Sequence, residues 1–253
     1  MITLVFSLLF LLQIDFYLLV SSNYAVTKPS DGIQMIDVEG GKFIMGCPLD
    51  TSQCEPDELP LNEVSLSSYK IGKYEVTQAQ WKAIMGNRPS FKKNCGKCPV
   101  EYVSWEEVQQ FINKLNAKTG KSYRLPTEAE WEFAARGGNK TKSYLFSGSN
   151  QHEDVAWFEN NSADEVQKVG LKKPNELGIY DMSGNVGEFC SDRYADNYSP
   201  ETKINPQGPQ EGTKRVFRGG SCLNEPLKVW FRHSYGESHK RSDCGFRLAH
   251  SGS

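Results

Sequence analysis

Two helix starts sit close together in this chain, and nothing like them follows. Ser104 precedes Trp105 with Glu107 three residues on, and Thr127 is followed at the same spacing by Glu130. Each pair can form a reciprocal cap, the hydroxyl taking one orphan backbone N–H and the glutamate another. Behind the first start, Trp105, Val108, Phe111, Ile112 and Leu115 recur at helical spacing until Gly120 stops the helix. The second opens TEAEWEFAARG and ends at Gly137, and a shorter helix is predicted over 77–85. From Gly138 onward Gly, Asn, Pro and Ser punctuate short segments, and no helix-length period survives. That half must be held by loops, a few strands and specific side-chain contacts. Long loops in such a setting are often functional.

Ahead of the helices the pattern is strand-like. Met35 to Met45 roughly alternates around Gly40-Gly41 and reads as a β-hairpin or a bulged strand, Val64 to Tyr69 alternates as VSLSSY, and strand character continues to Val76. No internal repeat, low-complexity tract or domain boundary interrupts the chain, so one domain is expected over 32–253. Hydrophobic residues at 38% suffice for a real core, and the net charge of −2 provides no global field for nucleic acid or an anionic membrane.

Residues 2–20 are mostly apolar, which reads as a signal segment over 1–22 cleaved after Ser22, with a polar linker over 23–31. No Lys or Arg precedes the apolar block and Asp15 lies inside it, so an uncleaved anchor is the alternative. Export to the envelope or beyond is expected, with no membrane span after cleavage. In an oxidising compartment close cysteines read as disulfides, here Cys47 with Cys54 and Cys95 with Cys98. The four histidines supply no second ligand pair of the kind zinc needs. Cys190, Cys222 and Cys244 remain, an odd number that leaves at least one thiol free.

The order of motifs then resembles one family. MIDVEGGKFIMG (35–46), YEVTQAQWKAIMG (74–86), PVEYVSW (99–105), YRLPTEAEWEFAARG (123–137), GIYDMSGNVGEFC (178–190), RVFRGGS (215–221) and GFRLA (245–249) follow the order of the formylglycine-generating, sulfatase-modifying family. The resemblance implies an α+β fold of the C-type-lectin-like kind, with a small mixed sheet, two main helices and much irregular structure. Each motif also has a structural reading. Trp81, Trp105 and Trp131 anchor the core, and Gly219-Gly220 suits positive φ or a close backbone approach. Arg124 and Arg136 should pair with carboxylates or carbonyls, and Arg218 and Arg247 should tie the C-terminal strands to carbonyls.

Enzymes of this family, as the resemblance implies, hold copper(I) with two cysteines shortly after GGS and oxidise a substrate cysteine to formylglycine. Here those positions fall on Asn224 and Val229, which cannot serve as thiolate ligands, so no copper is expected. The iron-dependent branch needs a histidine triad that this chain lacks. A Ser221, His233 and Asp243 hydrolase triad has no nucleophile elbow to support it. The resemblance also implies a structural calcium ion on Asp181 and Glu188 with the carbonyls of Gly184 and Val186; the alternative is a turn in which Glu188 pairs with an arginine.

What remains is the segment 222–244 between GGS (219–221) and GFR (245–247). Leu223, Asn224, Glu225, Lys228, Trp230, Arg232, His233, Tyr235, His239, Arg241 and Asp243 mix aromatic, basic and small polar groups in the manner of an adaptable binding surface. A strand through Lys228-Val-Trp-Phe-Arg232 would bury alternate members of that set. The same family includes the variable proteins of diversity-generating retroelements, in which this segment is diversified and displayed. The expectation is a non-catalytic, monomeric protein that binds an unknown protein or glycan ligand through 222–244. A copper oxidase or a structural envelope protein are the alternatives.

Overall fold

The computed structural model describes residues 32–224 and 228–251; the expected signal segment, the linker and Glu225 lie outside them. The strands are β1 (Met35–Val38), β2 (Gly41–Met45), β3 (Asn62–Leu66), β4 (Tyr69–Gly72), β5 (Tyr123–Arg124), β6 (Gly187–Arg193), β7 (Lys203–Ile204), β8 (Lys214–Arg218), β9 (Arg232–Gly236), β10 (Cys244–Gly245) and β11 (Ala249–Ser251). The three longer helices are α1 (Gln78–Met85), α2 (Trp105–Thr119) and α3 (Glu128–Ala135). Among the described residues, helix beyond Gly138 is limited to single turns.

The two expected reciprocal caps form, on Ser104 with Glu107 and Thr127 with Glu130, and α1 carries a third on Thr77 with Gln80. Gly86 and Gly120 end α1 and α2 in the left-handed conformation. The strands form three small sheets, ordered β1-β4-β11-β5, β10-β6-β8-β9 and β2-β3-β7. The expected hairpin over 35–45 does not form. β1 pairs with β4 and β2 with β3, so the chain changes sheet at Gly40-Gly41. A Cβ on Gly40 would stand 2.4 Å from the Leu66 carbonyl oxygen, which explains why the crossing needs glycine.

α3 is the hub. Every one of its residues is buried, including Glu128, Glu130 and Glu132. Trp131, Phe133 and Ala134 join one apolar cluster with Val64, Ile71 and Val216. A second cluster gathers Trp81, Phe111, Leu115 and Phe246, with Trp81 stacked on Phe111 at 5.3 Å. Three buried glutamates require three cationic answers. Arg124 grips Glu130 through two nitrogens at 2.6 and 2.7 Å. Arg136 holds Glu132 at 2.7 Å and donates to the Gly46 carbonyl. Arg218 joins Glu128 at 2.9 Å to Glu132 at 2.5 Å. Carbonyl ties were expected for Arg218 and Arg247, and both make them, to Val229 and to Gly72 and Tyr180. Their main partners are nevertheless carboxylates.

Both expected disulfides are present, and Cys190, Cys222 and Cys244 are all free and buried. Among the described residues no helix is long and apolar enough to cross a membrane.

Candidate functional site

The segment after GGS begins from a constrained base. Gly219 and Gly220 both have positive φ, 94° and 69°, as their place in the motif predicts. The turn aims Ser221 inward, its Oγ lying 2.7 Å from Asn224 Oδ1 and 2.9 Å from Asp243 Oδ2. Asp243 is buried and takes Arg241 through two nitrogens at 2.8 and 3.1 Å. Arg241 lies over the Tyr235 ring at 5.6 Å. Tyr235 stacks on His239 at 4.7 Å and meets His233 edge-on at 4.9 Å. Six of the expected residues therefore form one connected group: Asn224, Asp243, Arg241, Tyr235, His233 and His239. Leu223 packs half-buried beside the Cys95–Cys98 disulfide and Cys222.

Two of the remaining residues face the other way. Trp230 is 3% exposed and belongs to the α3 cluster, so it is core rather than ligand surface. Arg232 is equally buried and clasps Glu128 at 2.7 and 2.9 Å, with the Asp57 and Ala195 carbonyls as further acceptors. Lys228 sits near the Trp230 ring at 5.7 Å. The strand expected from Lys228 starts only at Arg232, where β9 pairs with β8 in the register Arg218 to Arg232 and Phe217 to His233. Alternation along β9 sends Arg232 toward α3 and leaves His233 exposed. Asp243, also expected at the surface, is the buried anchor of Arg241.

The outer group rests on the start of α2. Arg215 bridges to Glu237 at 2.7 Å and covers the Trp105 ring at 3.8 Å, while Lys240 reaches Glu107. Tyr102 donates its N–H to the Arg241 carbonyl and, at a positive φ of 61°, stands out beside exposed Phe91. Sequence reasoning passed over Tyr102 and Phe91. The motif PVEYVSW reads as packing, and nothing local announces a left-handed tyrosine.

A family model described as a sulfatase-modifying factor enzyme 1-like domain matches residues 22–251. The chain belongs to the sulfatase-modifying factor family. The chaperone protein LppX of Paenibacillus barcinonensis is 33% identical, over 89% of this chain and 91% of that protein. The formylglycine-generating enzyme of Streptomyces coelicolor is 33% identical, over 69% of this chain and 59% of the enzyme. Among solved structures, Treponema denticola variable protein 1 has a TM-score of 0.78 at 32% identity, covering 87% of this chain and 95% of that one. The fold is the family's C-type-lectin-like α+β arrangement.

The two metals of this family can now be tested against the side chains. At the copper positions, the Asn224 carboxamide is joined to Ser221 and Val229 is buried in the α3 cluster. Burial pushes the Cys222 thiol up to about 12, and burial likewise pushes Cys244 and Cys190 far up, so these groups stay protonated at neutral pH. The donor set does not fit copper(I).

The calcium set divides. Asp181, at a φ of 57°, accepts from the Gly170 N–H at 2.7 Å and keeps Oδ1 buried without a hydrogen-bond partner, as a ligand would require. Burial raises its carboxyl to about 6. Glu188 differs. Its two oxygens each lie 2.6 Å from Arg247 nitrogens, and Oε2 also accepts from Trp131 Nε1 at 2.8 Å. A guanidinium already serves as its cation, so the four-residue set of Asp181, Gly184, Val186 and Glu188 does not fit calcium. The loop is held instead by buried Glu75, which accepts from the Asn185 side chain at 2.7 Å and from the Val186 N–H at 3.1 Å.

Proposed function

We propose that this protein is an exported, non-catalytic binding module whose ligand surface is the outer group of the 222–244 segment. The observation that carries the reading is the division of that segment. Trp230 and Arg232 lock it to α3, while His233, Tyr235, His239 and Arg241 stand on the far side of β9 in mutual ring contact. Such a surface is stiff where it joins the scaffold and chemically varied where a partner arrives. Asn224 and Val229 at the positions of the copper ligands, together with buried and protonated thiols, weigh against the oxidase. Likeness to a variable protein over nearly the whole of that chain supports display, with diversification of 222–244 as part of the proposal. Two disulfides support export.

The test is a protein and glycan array probed with the purified protein and with a His233→Ala, His239→Ala variant. Retained folding with at least about tenfold weaker capture supports the reading. Aldehyde formed from a cysteine peptide in the presence of copper(I) overturns it. Sequencing the locus in several isolates tests diversification, which requires changes clustered between Ser221 and Gly245.

A further inference from the structure

A cavity of about 290 Å³ opens beside α3 that none of the four outer residues lines. Its wall includes Asn62 at the start of β3, Asp192 on β6, and Met45, Tyr198, Pro206 and Pro209. Asn62 is 5% exposed, and its Nδ2 has no hydrogen-bond partner. An unsatisfied buried amide costs about 1–3 kcal/mol, so its retention calls for a reason. Asp192 is placed slightly deeper. Its Oδ2 accepts from the Glu128 N–H at 2.9 Å and the Ser191 hydroxyl at 3.0 Å, and these contacts leave Oδ1 over for a further donor. The cavity also excludes side chains where they would cover this carboxyl. Gly208 lines it at a φ of 71°, and a Cβ there would stand 2.8 Å from the Asp192 Cβ and 3.2 Å from Oδ1.

An N–H donor without a partner and an open carboxyl oxygen thus belong to two residues that wall one chamber. A hydroxyl group both donates and accepts, so the hydroxyls of one ligand can answer both groups while a C–H face lies on Tyr198 and the prolines. A simple anion carries no proton to give to Asp192 Oδ1. A simple cation would leave the Asn62 donor unanswered and meet Arg193 and Arg232, which also line the chamber. The volume lies at the lower edge of ligand pockets and suits one ring rather than a chain.

We propose that this cavity binds a hexose-sized polyol, either a free sugar or the terminal residue of a glycan, without calcium. The site is separate from the outer face of 222–244 and does not depend on the display reading.

The experiment is saturation-transfer NMR and calorimetry on the purified protein with glucose, galactose, mannose and their methyl glycosides. Two variants accompany it. Asn62→Ala removes the donor, and Ser199→Trp obstructs the cavity from its lining while leaving Asn62 and Asp192 in place. His233→Ala on the display face is the control. The expected result is binding near about 1 mM for at least one probe, unchanged by EDTA and by His233→Ala, and weakened at least about tenfold by both cavity variants. Binding of a methyl glycoside assigns a glycan terminus, and binding of the free sugar alone assigns a soluble monosaccharide. No transfer from the wild-type protein to any probe overturns the proposal, as does binding that survives Ser199→Trp. Should Asn62→Ala fail to fold, Ser199→Trp alone decides.

Discussion

Glu128 and Asp192 lie hydrogen-bonded to one another through a backbone N–H, both buried, and their surroundings drive them apart. Burial alone would raise Glu128, but Arg232 and Arg218 outweigh it and hold the carboxyl below its ordinary value. Asp192 has no such partner. Burial, reinforced by the charge of Glu128, lifts it from 3.8 to about 7. The folded state therefore keeps a proton that the unfolded chain releases between pH 3.8 and about 7. The associated stability is fully present below the lower value and is lost as pH rises through the upper one. Glu128 acts with the opposite sign, its stabilisation being lost only as pH falls below its ordinary value of 4.5. Asp192→Asn should flatten the decline, gaining about 3–4 kcal/mol relative to wild type between pH 4 and pH 8. Urea unfolding at several pH values measures this, and a pH-independent difference between the two proteins would refute it. Glu101, raised to about 7 by burial, and Asp181 titrate in the same window in both proteins and cancel in the comparison.

At the level of elements, α3 departs from the usual surface helix, since it has no solvent face and places its glutamates among arginines drawn from distant strands. Glu132 accepts from Arg136 and the Gly46 N–H through one oxygen and from Arg218 through the other. Glu132→Gln keeps the shape but leaves buried Arg218 and half-buried Arg136 short of a counter-charge, a loss of about 3–5 kcal/mol. Chemical denaturation checks the figure, and a cost under about 1 kcal/mol would mean that the network contributes little to stability. The caps of α2 and α3 were legible in the sequence because their partners are three residues apart. The fate of 35–45 was not. Alternation around Gly40-Gly41 looks the same whether two strands pair with each other or with β4 and β3, and the choice is made by residues far along the chain. Arg232 was misread for the same reason. It is a basic residue among others in 222–244, and only Glu128, 104 positions away, removes it from the surface.

For the molecule as a whole, these contacts set a buried scaffold around α3 against the outer side of β9, and the proposed function asks the first to resist change and the second to tolerate it. In the sequence, GGS and GFR mark the bounds of the segment proposed to carry that outer face. The sequence could not show which side of β9 each residue takes, because a strand's inward and outward members differ by what packs on them. If the division is real, stability and binding should respond to different substitutions within a few residues of each other. Trp230→Ala empties a buried site in the α3 cluster and should cost about 3–5 kcal/mol. His233→Ala and His239→Ala touch exposed rings and should each shift stability by less than about 0.5 kcal/mol. Arg241 is the informative intermediate. It is partly exposed, yet it is the cation on buried Asp243, so Arg241→Ala should cost more than either histidine change. Thermal and urea unfolding of the four variants in one buffer gives the order. A histidine variant as damaging as Trp230→Ala would show that the outer group belongs to the core, and the case for a display surface would fall with it.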